Sequence, residues 1–215
     1  MTKRKALSLR FAAAAAVAVL AAIGAGTASA QGGAGTLGKY TQGCPTFATT
    51  EPFVPWADTG DYFLGPAADF EGSLTGWTVK GGAKIVSGNE KYYVNAPTDS
   101  HSLLLPKNAT ATSPSICVTL DTPDIRLFYE NTGTANAQLT VNMTYTSNMG
   151  KASTVAVAKI TVPKGTGWTV TSPILFLANI QSILSSNNQT WVTFQFVANS
   201  NLQVDDFFVD PVKHH

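Results

Sequence analysis

The chain carries its apolar residues in short alternating runs separated by turn residues, and no stretch repeats them at helical spacing. The longest alternation covers residues 138–146, with Leu139, Val141, Met143 and Tyr145 on one side and Thr140, Asn142, Thr144 and Thr146 on the other. That period of two predicts a half-buried antiparallel strand with a polar outer face. Residues 191–198 alternate in the same way, Val192, Phe194 and Phe196 pointing in while Thr193 and Gln195 point out. Shorter runs at 77–80, 83–87, 91–94, 102–105, 115–120, 125–130, 153–162, 174–177 and 202–209 predict further strands, and turn or breaker residues follow most of them. A short helical turn is expected at 179–184, before the polar loop 185–189. Roughly nine or ten short strands without helices predict an all-β fold, a two-sheet antiparallel β-sandwich. No internal period repeats, which argues against a propeller or solenoid.

The two ends depart from this texture. Lys3, Arg4, Lys5 and Arg10 precede an apolar run over 11–23 and the triplet Ala28-Ser29-Ala30, the pattern of a secretory signal peptide cut before Gln31. Gly24 and Gly26 interrupt the run short of the roughly 20 residues a membrane-spanning helix needs, so no span is expected after cleavage. Residues 31–43 are Gly-rich and read as a flexible leader. Between 44 and 66, Pro45, Pro52, Pro55 and Pro66 forbid a long helix or central strand. Yet Phe47, Phe53, Trp56, Tyr62, Phe63 and Leu64 are too much apolar surface to leave in water, so this irregular extension is expected to pack on the outside of the sandwich. The sandwich itself then occupies 67–211, with 212–215 as a tail.

Composition sharpens the compartment and the partners. Removing the four basic residues of the leader leaves 10 (14 − 4) against 13 acidic ones, so the exported chain is mildly acidic. Without a Lys/Arg cluster, nucleic acid and anionic membranes are poor partners. Export places Cys44 and Cys117 where pairing is the default, and a disulfide joining the extension to the sheet is expected; two separately buried thiols are the alternative.

Residues 69–77 read D-F-E-G-S-L-T-G-W and have a distant counterpart in Val204-Asp205-Asp206-Phe207-Phe208. Phe70 and Trp77 are apolar anchors, and Gly72 and Gly76 are breakers. Asp69 and Glu71 bring carboxylates to a segment that otherwise belongs in a core, where they need partners. These residues, with Ser100-His101-Ser102-Leu103-Leu104-Leu105 and the V-D-D-F-F-V run, resemble the galactose-binding-like jelly roll of carbohydrate-binding modules over about 67–211. The C…F-x-x-W…F-E…G-W…C-V…D-D-x-x-V-D-P order also resembles a group of secreted bacterial proteins. The resemblance implies a structural calcium where the first strand, an early loop and the last strand meet. Carried over, its ligands are Glu71 and Asp205, with backbone carbonyls and the Asp99 carboxylate from the 98–101 loop and Asp206 beside them. Calcium takes six to eight oxygens, so the donor type is suitable. The other reading leaves these groups as strand-end carboxylates satisfied by amides or basic side chains. The Asn that often precedes F-E in such modules is absent here.

Trp77, Trp168 and Trp191 read as core. A sugar site needs aromatic faces with amide and hydroxyl partners around them, and Tyr92, Tyr93, Tyr129 and Tyr145, helped by Asn95, Asn142 and Gln195, are the candidates. No catalytic residues are expected. His101 is the single histidine between the leader and the terminal His214-His215, and no nucleophile-elbow, zinc-protease or phosphate-loop motif occurs. Asp58, Asp61, Asp121, Asp124 and Glu130 fall in turn or edge contexts where carboxylates cap and solvate. The expected function is that of a secreted, non-catalytic, calcium-stabilised module binding carbohydrate or a cell-surface glycan weakly. The alternative is a structural or adhesion protein of the cell surface or matrix with no sugar ligand.

Overall fold

The computed structural model describes residues 44–119, 122, 124–146, 150–176 and 189–211. The expected signal peptide, leader, tail and the helical turn at 179–184 lie outside them.

The strands are β1 (Phe63–Leu64), β2 (Thr78–Lys80), β3 (Lys84–Ser87), β4 (His101–Leu105), β5 (Thr110–Thr112), β6 (Ile116–Thr119) and β7 (Asp124–Glu130). They continue with β8 (Ala137–Thr146), β9 (Ala152–Val162), β10 (Thr169–Val170), β11 (Ile174–Leu175), β12 (Gln189–Ala198) and β13 (Leu202–Val209). They form two antiparallel sheets, the sandwich that the alternation predicts. A seven-stranded sheet runs β10-β7-β13-β4-β3, with β1 also paired to β13 and β11 to β7. A six-stranded sheet runs β2-β5-β12-β8-β9, with β6 also paired to β12. The chain crosses repeatedly between the sheets, β1 to β2, β2 to β3, β4 to β5, β6 to β7, β7 to β8, β9 to β10, β11 to β12 and β12 to β13, which gives the jelly-roll path. One expected strand is absent: residues 91–94 form turns, because the buried Glu90 carboxylate accepts the amides of Tyr92 and Val94 and curls the chain around itself. Residues 69–77 are also irregular, with Phe70 at φ 54°.

Between the sheets lies an aromatic core. Phe207 of β13 meets Phe194 and Phe196 of β12 at 5.5 and 5.3 Å between ring centres, and Trp77 meets Phe196 at 5.9 Å and Phe70 at 5.2 Å. Leu139, Val141 and Met143 are fully buried, as their alternation predicts. Parity decides the tryptophans. Trp77 is core, its Nε1 donating to the Pro66 carbonyl at 2.9 Å, but Trp191 precedes the inward Val192 and therefore faces outward, half-exposed. Gly65 lets the incoming chain touch β13, its amide donating to the Phe207 carbonyl at 2.8 Å; a Cβ there would lie 2.8 Å from the Phe207 ring.

Only part of the extension packs on the outside as expected: Phe63 enters the main core, with Phe47 stacked on it at 4.3 Å, because Phe63–Leu64 joins the seven-stranded sheet as β1, while the rest is built onto that sheet's outer face. Phe53 and Tyr62 form a second buried cluster with Phe128 of β7 and Phe208 of β13, against which Trp56, Val94, Trp168 and Val170 pack. A single 3₁₀ turn, Val54–Trp56, with Pro in its first turn, ends at Ala57 in the left-handed region. Thr50 bridges Tyr62 through a pair of backbone hydrogen bonds, which folds the extension back on itself.

The expected disulfide is present. Cys44 and Cys117 are joined at a Cα separation of 5.4 Å, 73 residues apart. Cys117 sits on β6 of the six-stranded sheet, so the covalent bond holds one end of the extension at that sheet while Phe53, Trp56 and Tyr62 pack on the other. Replacing both cysteines by serine is expected to lower the unfolding free energy by about 4 kcal/mol, the chain-entropy value for a loop of this length, as read from denaturant unfolding under oxidising conditions.

Candidate functional site

Two places gather chemistry. The first is an acidic junction around a bulge in β13. Leu202, Val204, Phe207 and Val209 all face the main core, so two residues rather than one intervene between Val204 and Phe207. The ladder with β7 slips between Asp205 and Phe208, and Asp206 has φ 43°. Asp205 and Asp206 are both fully buried there. The Asp205 carboxylate accepts the Glu90 amide at 2.9 Å and the Asp206 amide at 3.0 Å. Both carboxylate oxygens of Asp206 are buried with no hydrogen-bond partner among the described residues. Burial first, then repulsion by neighbouring carboxylates including Glu90, pushes Asp205 up to about 8 and Asp206 to about 9.

The remaining expected metal residues are turned elsewhere. The Glu71 carboxylate accepts the Ser100 and His101 amides, both at 2.6 Å, with His101 Nδ1 at 3.0 Å, and so staples the 71 segment to the start of β4. Burial raises its pKa, but the His101 side chain and the two amides outweigh burial and hold it below the ordinary value. Asp99 accepts the Asn95 side chain at 2.9 Å and the Ala96 amide at 3.1 Å, closing its own loop. Glu90, hidden in what the pattern reads as the approach to a strand, is the junction member that sequence reasoning missed. Among the described residues, no group of three or more His, Cys, Asp or Glu side chains is arranged to hold a metal ion. The buried, unpartnered Asp206 carboxylate nevertheless fits a calcium ligand, since calcium completes its shell with backbone carbonyls and water.

The second place is a polar cavity of about 720 Å³ over the outer face of the seven-stranded sheet. Its walls come from the extension (Trp56, Asp58, Thr59, Tyr62), from β7 (Asp124, Arg126), from the 170–173 connection and from Asp210 after β13. Arg126 organises it. Its Nη1 donates to Asp58 Oδ2 at 2.7 Å, while Nε and Nη2 donate to the Thr171 carbonyl at 3.0 and 2.7 Å. The guanidinium also lies over the Phe53 ring, 4.2 Å from its centre. The Tyr62 hydroxyl stands between two carboxylates, 2.9 Å from Asp58 Oδ2 and 3.2 Å from Asp124 Oδ1. Burial, then the charge of Asp210, pushes Asp124 up to about 6. Asp58 is also raised by burial, but the Gly60 amide, the Tyr62 hydroxyl and Arg126 more than reverse this and leave it below the ordinary value. Trp56 borders the cavity half-exposed, held by edge contacts to Tyr92, Phe128 and Phe53 at 4.9, 5.6 and 6.2 Å.

The residues expected to contact sugar are divided over three surfaces. Tyr92 and Tyr93 are exposed on the loop beyond Glu90, and Tyr92 touches Trp56. Tyr129 and Tyr145 pack against the main core from its margins. Asn142 and Gln195 face outward on the six-stranded sheet, where the Asn142 amide donates to Gln195 Oε1 at 3.3 Å. The cavity members Trp56, Asp58, Tyr62, Asp124 and Arg126 were not among the expected ligand residues. Asp124 in particular is buried rather than solvated.

No protein-family model matches the chain, and no curated protein does. Among solved structures it is similar to the C-terminal family 22 carbohydrate-binding module of Clostridium thermocellum Xyn10B, at 17% identity and TM-score 0.47 over 68% of this chain and 94% of that one. It is also similar to a xylan-binding domain of family 22, at 17% identity and TM-score 0.48 over 74% and 99%. A third similarity is to the family 22 tandem domain of Paenibacillus barcinonensis Xyn10C, at 20% identity and TM-score 0.49 over 72% and 46%.

The raised pKa of Asp124 makes a stability prediction. The folded state holds that proton more tightly than the unfolded chain, so this group's contribution to stability falls as pH rises from about 4 to about 6 and stays lost above. Asp124→Asn, which keeps an acceptor for the Tyr62 hydroxyl, is expected to gain on the native protein by on the order of 3 kcal/mol between pH 4 and pH 7, read as the difference between their urea-unfolding profiles.

Proposed function

We propose that this chain is a secreted, non-catalytic glycan-binding module whose site is the open polar pocket between the N-terminal extension, β7 and the 170–173 connection. One observation carries the reading: a half-exposed indole, Trp56, borders a cavity of about 720 Å³ in which the side chains of Asp58, Tyr62, Asp124 and Arg126 are already linked to one another. Sugar recognition needs an aromatic surface for the apolar face of a pyranose and rigid planar or hydroxyl groups for its rim. Trp56 supplies the first; Asp58, Asp124, Thr59 and Ser172 supply the second, with Arg126 behind them holding Asp58. Because Arg126 holds Asp58 and the Tyr62 hydroxyl stands between Asp58 and Asp124, little ordering remains to be done on binding, which favours affinity. The same tethering supports binding rather than hydrolysis, since Tyr62 occupies the space between the two carboxylates. The leader with its Ala28-Ser29-Ala30 triplet supports export.

We further propose a structural calcium at the β13 bulge, held by Asp206 with Asp205 beside it and by backbone carbonyls. When bound it would neutralise carboxylates that burial otherwise keeps protonated. The chain's own residues there set the bulge and, through Glu90, the loop carrying Tyr92.

Two outcomes are expected. Trp56→Ala should abolish retention of the protein on polysaccharide columns in affinity electrophoresis without shifting its melting temperature by more than a few degrees; retention by the variant would remove the cavity as the site. Calcium at about 100 times its dissociation constant should raise the melting temperature by roughly 5–10 °C over chelated protein. In Asp206→Asn the two melts should coincide, whereas an unchanged melt of the native protein on chelation would leave Asp206 as a protonated buried group.

A further inference from the structure

We infer that the loop carrying Tyr92 and Tyr93 is a second sugar subsite beside Trp56, so that the ligand is a single linear glycan chain held over several units rather than one terminal sugar. The inference rests on the glycan-binding reading of the pocket and extends it in length. The pocket is open, and the aromatic border it shares does not end at Trp56. The Tyr92 ring lies 4.9 Å from that indole, centre to centre, about the advance of one unit along a linear glycan. Its hydroxyl donates to the Trp168 carbonyl at 3.4 Å, and the Trp168 side chain packs on the same outer cluster. Among the described residues the large apolar side chains left exposed are Val54, Tyr92, Tyr93 and Leu175. All of these but Leu175 lie either in the turn that carries Trp56 or on the loop that touches it, a concentration that marks a binding surface.

The backbone of the loop gives an independent reason. Tyr93 sits at φ 52°, in the left-handed region, which a bulky side chain rarely adopts. Such a conformation persists where its surroundings impose it, and here they do. The fully buried Glu90 carboxylate takes the amides of Tyr92 and Val94, one on each side of Tyr93, while the Glu90 amide is held by Asp205. Burying a carboxylate and straining a tyrosine both work against stability, yet the two rings that result remain 41% and 50% exposed. What the arrangement secures is a pair of tyrosines held in solvent beside the pocket. A ring ordered in advance loses little freedom on binding. Tyrosine suits a sugar in particular, because its face meets the apolar side of a pyranose and its hydroxyl meets the rim. The Trp56 and Tyr92 planes stand at 85°, so a rigid flat surface cannot lie on both. A single chain can, by turning between the units they hold.

The test is a chain-length series on the full chain: β-1,4-linked gluco-, xylo- and galacto-oligosaccharides from disaccharide to hexasaccharide, titrated calorimetrically. Affinity within a series that binds is expected to rise about tenfold from disaccharide to hexasaccharide, the scale of one further aromatic contact. Tyr92→Ala should remove that rise, lowering hexasaccharide affinity about tenfold while disaccharide affinity stays within about twofold. Tyr92→Phe, which keeps the ring, should retain the rise, and Trp56→Ala should weaken both lengths. Tyr93→Ala should also act on the hexasaccharide alone, and it carries the test should Tyr92→Ala fold poorly. If Tyr92 serves only to prop Trp56, Tyr92→Ala lowers both lengths by the same factor, and that result overturns the inference. A rise that survives both tyrosine variants overturns it, as does preferential adsorption to crystalline cellulose or chitin powder. Equal affinity at all lengths overturns it and leaves the glycan-binding reading standing. No binding of any hexasaccharide overturns it too, and absence of retention on polysaccharide in affinity electrophoresis overturns the glycan-binding reading with it.

Discussion

The rest of the structure depends on one extra residue in β13. That strand is central in its sheet, paired with β4 and β7, and it is buried on both faces because the main core lies on one side and the extension on the other. Strict alternation in the run Val204-Asp205-Asp206-Phe207-Phe208 would send Asp206 into the main core beside Val204 and turn Phe207 out of it. The bulge resolves it: Phe207 is delivered to the inter-sheet aromatic core and Phe208 to the outer cluster with Phe53, Tyr62 and Phe128. The residue displaced by the bulge is Asp206, whose backbone takes a left-handed conformation and whose carboxylate is left buried. Aspartate tolerates that backbone better than most residues, so local geometry and the charge problem arise from the same choice.

The outer cluster is what turns a sandwich into a walled site. Without the extension, Phe128 and Phe208 would stand exposed on the seven-stranded sheet and Arg126 would project into solvent beside them. With it, Phe53 lies beneath the guanidinium, Asp58 meets one of its nitrogens, and Tyr62 reaches across to Asp124. A buried guanidinium is tolerable only when its donors are engaged, and the carbonyl of Thr171 together with Asp58 meets that requirement. The disulfide contributes by shortening the free chain from which the extension must be ordered, which lowers the entropy cost of placing Trp56 and Tyr62.

How much of this was legible follows from the range of each signal. The alternation at 138–146 and 191–198 fixed two long strands and the side each residue occupies, because the period of two is a local property of the backbone. The pairing of Cys44 with Cys117 was legible because only two cysteines exist and the expected signal peptide implies a compartment in which they would pair. The cavity was not, since Asp58 and Arg126 lie 68 positions apart and Tyr62 and Asp124 lie 62 apart, with no motif to join them. Asp124 opens β7 after a turn-rich stretch, where a solvated carboxylate is the ordinary outcome; the extension, folding over it from far upstream, buries it. Glu90 was hidden for the opposite reason. The apolar and aromatic character of 91–94 imitates a strand, and only the fully buried carboxylate before it explains why those residues form turns instead.

The acidic junction and the cavity share that loop. Asp205 receives the Glu90 amide, Glu90 in turn receives the amides of Tyr92 and Val94, and the Tyr92 ring stands edge-on to Trp56 at 4.9 Å. Each contact is directional: a carboxylate accepting an amide fixes the backbone to within a few tenths of an ångström, and an edge-to-face pair fixes a ring against its neighbour. The position of Trp56 is therefore set from two sides, by Phe53 within the extension and by a loop whose curvature depends on buried carboxylates at the β13 bulge. The cost of burying those acids beside one another is borne at the junction, and it is returned as a rigid aromatic border for a cavity on the outside of the sheet.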